Sequence, residues 1–73
     1  MLNCNNIQKG TVVDFSRIYF HNDWKPGVCL ILDFLIIMWK DVPSKIAIKV
    51  LCHNGRVYSF NIAASEEKEI IVL

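Results

Sequence analysis

The chain has 73 residues, enough for one domain. It is 53% hydrophobic, and its eight Lys and Arg against seven Asp and Glu leave a net charge of +1. That balance excludes the strongly basic footprint of a dedicated nucleic-acid binder and favours self-association of whatever apolar surface stays exposed.

Residues 1–9 read as a flexible lead-in, because Asn3, Asn5 and Asn6 favour turns and no hydrophobic period is visible. The domain is expected over 10–73. TVVDFSRIYF at 11–20 is rich in β-branched and aromatic residues and predicts a first strand. HNDWKPG at 21–27 is a cluster of turn formers, with Lys25 held extended by Pro26.

The next segment, VCLILDFLIIMW at 28–39, is apolar at every position except Asp33. It is too short to cross a bilayer as a helix, which takes about 20 residues, and an Asp at its middle opposes insertion. Its β-branched and aromatic content predicts a second strand. Both strand parities are apolar, so either the strand bends to serve two packed layers or a second subunit covers its outer face. Asp33 then lies either at an edge or bulge, where it reaches water, or in a salt bridge to Lys45 or Lys49.

KDVPSK at 40–45 predicts a turn, IAIKVLC a third strand over 45–53, and RVYSFNI a fourth over 56–62. Asn54-Gly55 between them is a hairpin signal of the two-residue I′ type, which sets Leu51 opposite Tyr58 and Lys49 opposite Phe60. AASEE predicts one short helical turn, and KEIIVL a last strand over 69–73. The fold expected is all-β, five-stranded, with that single turn before the last strand.

This order resembles an SH3-like barrel. GTVVDF, KPGVCLILDF, IKVLCHNGRVYSFNI and the terminal EIIVL are similar to a pattern in small SH3-like proteins of tailed bacteriophages, in which a "G-D-L-V" strand precedes "G-I-G-x-V-L-D" and "V-L-W-x-x-G-x-V". The resemblance covers residues 10–73. The chain departs from the pattern in lacking a second Gly near Cys29 and in the more apolar FLIIMW, which points to an added interface. The resemblance implies a barrel of viral origin acting on a host protein, and it implies peptide or protein binding through aromatic residues of the first loop. The fold by itself carries no function.

Catalytic and metal chemistry is poorly supported by the residues. Cys52 and His53 are adjacent and therefore point to opposite faces of a strand, which separates thiol from imidazole. Cys4, Cys29 and Cys52 lack the close spacing of a zinc site. Their odd number, with no visible secretion signal, suggests reduced thiols in a cytoplasmic setting. No phosphate-binding loop or nucleophile elbow is present. No enzyme activity, cofactor, metal or membrane partner is expected.

Two surfaces remain. Tyr19, His21, Trp24 and Lys25 in the first loop are candidate partner-binding residues, with capping of a small core as the other reading of Trp24. Leu35, Ile37 and Trp39 share a strand parity and are candidates for self-association into a homo-oligomer. Arg17, Lys40, Lys45 and Arg56 are candidate nucleic-acid contacts if they gather on one side. The leading expectation is a non-enzymatic module that binds a host or viral protein and itself. A nucleic-acid-binding barrel and a minor virion component are the alternatives.

Overall fold

A computed structural model describes residues 7–20 and 24–73. His21, Cys4 and the rest of 1–6 and 21–23 lie outside the described residues. Five strands form one antiparallel sheet: β1 (Val12–Asp14), β2 (Val28–Trp39), β3 (Val42–Cys52), β4 (Val57–Ala63) and β5 (Ile71–Val72). Their spatial order is β4-β3-β2-β1-β5. A 3-10 turn over Ala64–Glu69 precedes β5 and begins where Ala63 N–H donates to Glu66 Oε1 at 3.0 Å. The all-β class, the strand count and the one short turn are those the sequence predicts.

The sheet is open, with β4 and β5 at its two edges, rather than a barrel closed by a backbone ladder. It is nevertheless strongly curled. In a flat sheet β1 and β4 would stand three strand spacings apart, about 14 Å. Yet the ring of Phe15, directly after β1, lies edge-on to that of Phe60 on β4 with centroids 5.3 Å apart. Inside the curl, Val13, Phe15, Ile18, Cys29, Ile31, Ile46, Ile48, Val50, Cys52, Ile62 and Ile70 form a single buried core.

β3 shows the simplest relation of sequence to structure. Ile46, Ile48, Val50 and Cys52 point inward and are buried, while Lys45, Lys49 and His53 are exposed. β2 does not alternate so evenly. Its partner register runs Cys29 to Cys52 and Ile31 to Val50, then shifts so that Asp33 meets Lys49 and Phe34 meets Ile48. Leu32 is the extra residue of a β-bulge. Before it the odd positions Cys29 and Ile31 face the core; after it the even positions Phe34 and Ile36 do, and Asp33, Leu35 and Ile37 face out.

Four expectations are corrected. The first strand, predicted over 11–20, ends at Asp14, whose carboxylate accepts from Ser16 N–H at 2.9 Å and from its hydroxyl at 3.2 Å, turning the chain. The lead-in is shorter than 1–9: Ile7 is fully buried, and Gly10 N–H donates to the Ile31 carbonyl at 2.8 Å. The 54–55 hairpin is not a two-residue turn. Gly55 N–H donates to the Cys52 carbonyl and Cys52 N–H to the Arg56 carbonyl, both at 2.9 Å, with φ +81° at Gly55 alone. This is a three-residue loop with a glycine bulge, and it shifts the register by one, so Val50 meets Tyr58 and Lys49 meets Ser59.

The fourth concerns 40–45. Only Lys40 and Asp41 turn, at φ +49° and +64°, and β3 already begins at Val42. The two-residue turn with positive φ at both positions is thus here, built without glycine and with Lys40 at a position that favours Asn, Asp or Gly. Pro43 is tolerated within the strand because a second bulge, at Ser44, adjoins it.

Left-handed backbone costs about 1–2 kcal/mol at a non-glycine residue. Replacing Lys40 and Asp41 together by Asn and Gly should therefore raise stability by about 1 kcal/mol, read as a higher urea midpoint with unchanged slope. Gly55→Val should lower it by about 1–2 kcal/mol for the same reason; a Cβ there meets nothing within 4 Å, so the loss is conformational and not steric. A neutral result for both would exclude this account of the two turns.

Candidate interaction surface

Residues opposite one another on antiparallel strands share a face. On the outer face of the β2-β3-β4 layer the register aligns three rows: Asp33, Lys49 and Ser59; Leu35, Ala47 and Asn61; Ile37, Lys45 and Ala63. Trp39 and Val42 extend this face to the hairpin tip. The second apolar parity of VCLILDFLIIMW is therefore not core. Leu35 is 66% exposed, Ile37 37%, Met38 52%, Trp39 67% and Val42 61%. Leu35, Ile37 and Trp39 do lie on one face, since the bulge in β2 falls before all three. Val42 joins them at the tip as the partner of Trp39, and sequence reasoning misses it because it reads as part of a turn; Met38 is exposed too, but on the opposite parity with Phe34 and Ile36.

The face has relief as well as hydrophobicity. Asp33, Leu35, Ala47, Lys49, Ser59 and Asn61 rim a shallow, open depression of about 400 Å³. Charges stand at its margin. Asp33 lies opposite Lys49 in the register and makes its ion pair with Lys9 at 3.4 Å. It thus sits at a bulge and in water, as one reading of the sequence holds; its cationic partner is neither Lys45 nor Lys49. Phe34 N–H donates to Asp33 Oδ1 at 2.8 Å, and that bond first, with Lys9 second, holds the carboxyl below the usual range.

The first loop is a second, smaller candidate. Tyr19, Phe20, Trp24 and Lys25, with Ser16 and Arg17, line a cleft of about 200 Å³. Tyr19 is 82% exposed and free to meet a partner. Trp24 is different. Its ring meets those of Phe20, Tyr58 and Phe60 edge-on at 5.1, 5.3 and 5.4 Å. It closes the end of the curled sheet, as the core-capping reading holds.

The candidate nucleic-acid contacts are dispersed. Lys40 and Lys45 sit at the β2–β3 tip, with Lys40 Nζ 5.8 Å from the centre of the Trp39 ring. Arg56 sits beyond the other end of β3, an 11-residue strand whose extended length is about 35 Å. Arg17 belongs to the first loop. No single basic patch collects all four.

Cys29 and Cys52 face each other in the core, Sγ to Sγ at 2.9 Å, and the Cys29 thiol also reaches the Pro26 carbonyl at 3.4 Å. Among the described residues no cluster of three or more His, Cys, Asp and Glu is arranged to hold a metal, and no helix is long and apolar enough to cross a membrane. Comparison with protein families, with curated proteins and with solved structures finds no match to this chain.

Trp24→Ala should cost about 2 kcal/mol in urea unfolding, since it opens one end of the core, whereas Tyr19→Ala should stay within about 0.5 kcal/mol. The Cys29 thiol is pushed up to about 12 from 9.0, chiefly by burial and then by its hydrogen bond with Cys52. The folded state holds this proton more tightly than the unfolded one. Its contribution to stability is thus intact below pH 9 and declines as pH rises from there towards 12. Iodoacetamide at about pH 8 should modify Cys29 in urea but only slowly in the native state.

Proposed function

We propose that this chain is a non-enzymatic protein-binding module that acts through the outer face of the β2–β3 hairpin, with a second copy of itself as the partner that face fits. The observation that carries the reading is the run of exposed apolar side chains Leu35, Ile37, Trp39 and Val42 on the outer face of a sheet whose inner face holds the core. Contiguous exposed apolar patches of several hundred Å² are uncommon on isolated proteins and mark interaction sites.

The charges favour self-pairing in one particular way. A two-fold axis running along the hairpin, between β2 and β3, lays β2 of one copy over β3 of the next. Asp33 then faces the partner's Lys49, Leu35 faces the partner's Ala47, and Ile37 covers the aliphatic stem of the partner's Lys45. An axis across the strands would instead set Lys45 against the partner's Lys49, which like charge opposes. Face-to-face packing of aligned sheets is a common geometry for such strands. Interfaces of standard size bury about 800 Å² on each partner. A few exposed side chains offer less, so the association is reversible at micromolar concentration. A host protein as an additional partner is what the phage resemblance adds, and exposed Tyr19 offers it a separate contact.

Sedimentation velocity over a concentration series should report a monomer–dimer equilibrium. Leu35→Glu changes an exposed side chain, so it should give a monomer whose circular dichroism is unchanged. Ile37→Lys or Trp39→Asp should act in the same direction. Asp33→Lys should weaken the dimer by about tenfold, and Lys49→Asp in the same chain should restore it. A wild type that remains monomeric at about 100 μM would remove self-association and leave the face to a different protein.

A further inference from the structure

We infer that Cys29 and Cys52 are a covalent modification site: in the presence of a small-molecule disulfide they join in a cross-strand disulfide that ties β2 to β3 inside the core. The two residues are direct partners in the antiparallel register. Their backbones do not bond to one another. Ile31 donates to the Thr11 carbonyl at 2.9 Å and accepts from Gly10 at 2.8 Å, so the odd positions of this half of β2 turn their backbone towards β1. Cys29, two residues earlier, does the same. Cys52 spends its N–H on the Arg56 carbonyl and its carbonyl on the Gly55 N–H, both on the β4 side.

Cys29 and Cys52 are therefore a non-hydrogen-bonded pair. In such pairs the Cα atoms approach to about 4.5 Å and the side chains lie closest. That separation falls within the range a disulfide accepts, about 4.4–6.8 Å. Both side chains point into the core, 2% and 5% exposed, and their sulfurs already touch. The β2 bulge lies beyond the pair at Leu32 and leaves the ladder regular here.

The chemistry is two successive exchanges with a small disulfide, RSSR. The thiolate of one cysteine attacks a sulfur of RSSR, the S–S bond breaks, and RS⁻ leaves with the electron pair. The second cysteine thiolate then attacks the sulfur of the mixed disulfide and expels the second RS⁻. Two S–H bonds and one RS–SR bond become one Cys29–Cys52 bond and two RSH. The cysteines lose two electrons, RSSR gains them, and the two thiol protons go to the leaving thiolates. Both thiols are buried away from reagent, so exchange waits on local opening. β1, only three residues long, covers Cys29 through its pairing with Val13 and is the element whose release admits the reagent.

The test uses the full chain carrying Cys4→Ser, incubated or refolded in glutathione buffers of increasing oxidised fraction, then acid-quenched, alkylated in denaturant and weighed. The expected product is a monomer lighter by two hydrogens. Its proteolytic map should link the peptides holding Cys29 and Cys52, and its urea midpoint should be higher and fall back on adding reductant. Wild type mapped in the same way serves if Cys4→Ser does not fold. Thiols that both remain alkylatable after refolding in the most oxidising buffer would overturn the inference. So would products limited to glutathione adducts, to links with Cys4, or to a disulfide whose formation unfolds the sheet.

Discussion

The bulge at Leu32 governs this molecule. A continuous ladder would keep the odd positions of β2 inward from Cys29 to Trp39. Asp33 would then enter an apolar core, and a buried unpaired carboxylate is among the most costly groups a small domain can hold. One extra residue inverts the alternation. Asp33 turns to water and to Lys9, while Phe34 and Ile36 take over the inner face above Ile48 and Ile46. The consequence on the other side is that Leu35, Ile37 and Trp39 are left outside. The exposed apolar face and the satisfied carboxylate are thus two results of a single backbone feature.

The same bulge divides β2 into halves with different duties. The first half pairs with β1 and, through it, with β5, and carries Cys29 and Ile31 into the core. The second half pairs with β3 alone and forms with β4 the layer whose outer face bears the apolar rows. Curling between the halves lets the aromatic rings of the first loop and of β4 meet, which is how so short a chain encloses a core at all. Trp24 belongs to that closure. The loop aromatic that most invites a binding role is thereby spent on stability, and the weight of the interaction reading moves to the hairpin.

Legibility in the sequence follows chemistry that acts locally. The β-branched content of IAIKVLC marks β3 as a strand, but with Ala47 and Leu51 apolar on the parity of Lys49 it does not tell which side faces the core; the apolar excess of FLIIMW announces a surface that one small core cannot absorb. The site of the 54–55 turn is legible too, though its type is not, because a single glycine at positive φ serves either a two-residue loop or a three-residue loop with a bulge. What the sequence hides is set by distance. A bulge is legible only as one of two readings of Asp33, and no glycine marks Leu32 as its extra residue. The Lys40-Asp41 turn has no turn-forming glycine either; the long ladders on both sides impose it. The Lys9 partner of Asp33 and the pairing of Cys29 with Cys52 arise only once three strands are assembled.

The most direct test is the Hα–Hα nuclear Overhauser pattern across β2 and β3, because close Hα pairs occur only at non-hydrogen-bonded positions of an antiparallel ladder. The shifted register predicts cross-peaks for Cys29–Cys52 and Ile31–Val50, followed by Phe34–Ile48 and Ile36–Ile46. Cross-peaks for Asp33–Ile48 and Leu35–Ile46 would instead mean an unbroken ladder. That would place Asp33 inside and Leu35 in the core, and would contradict the account at its root.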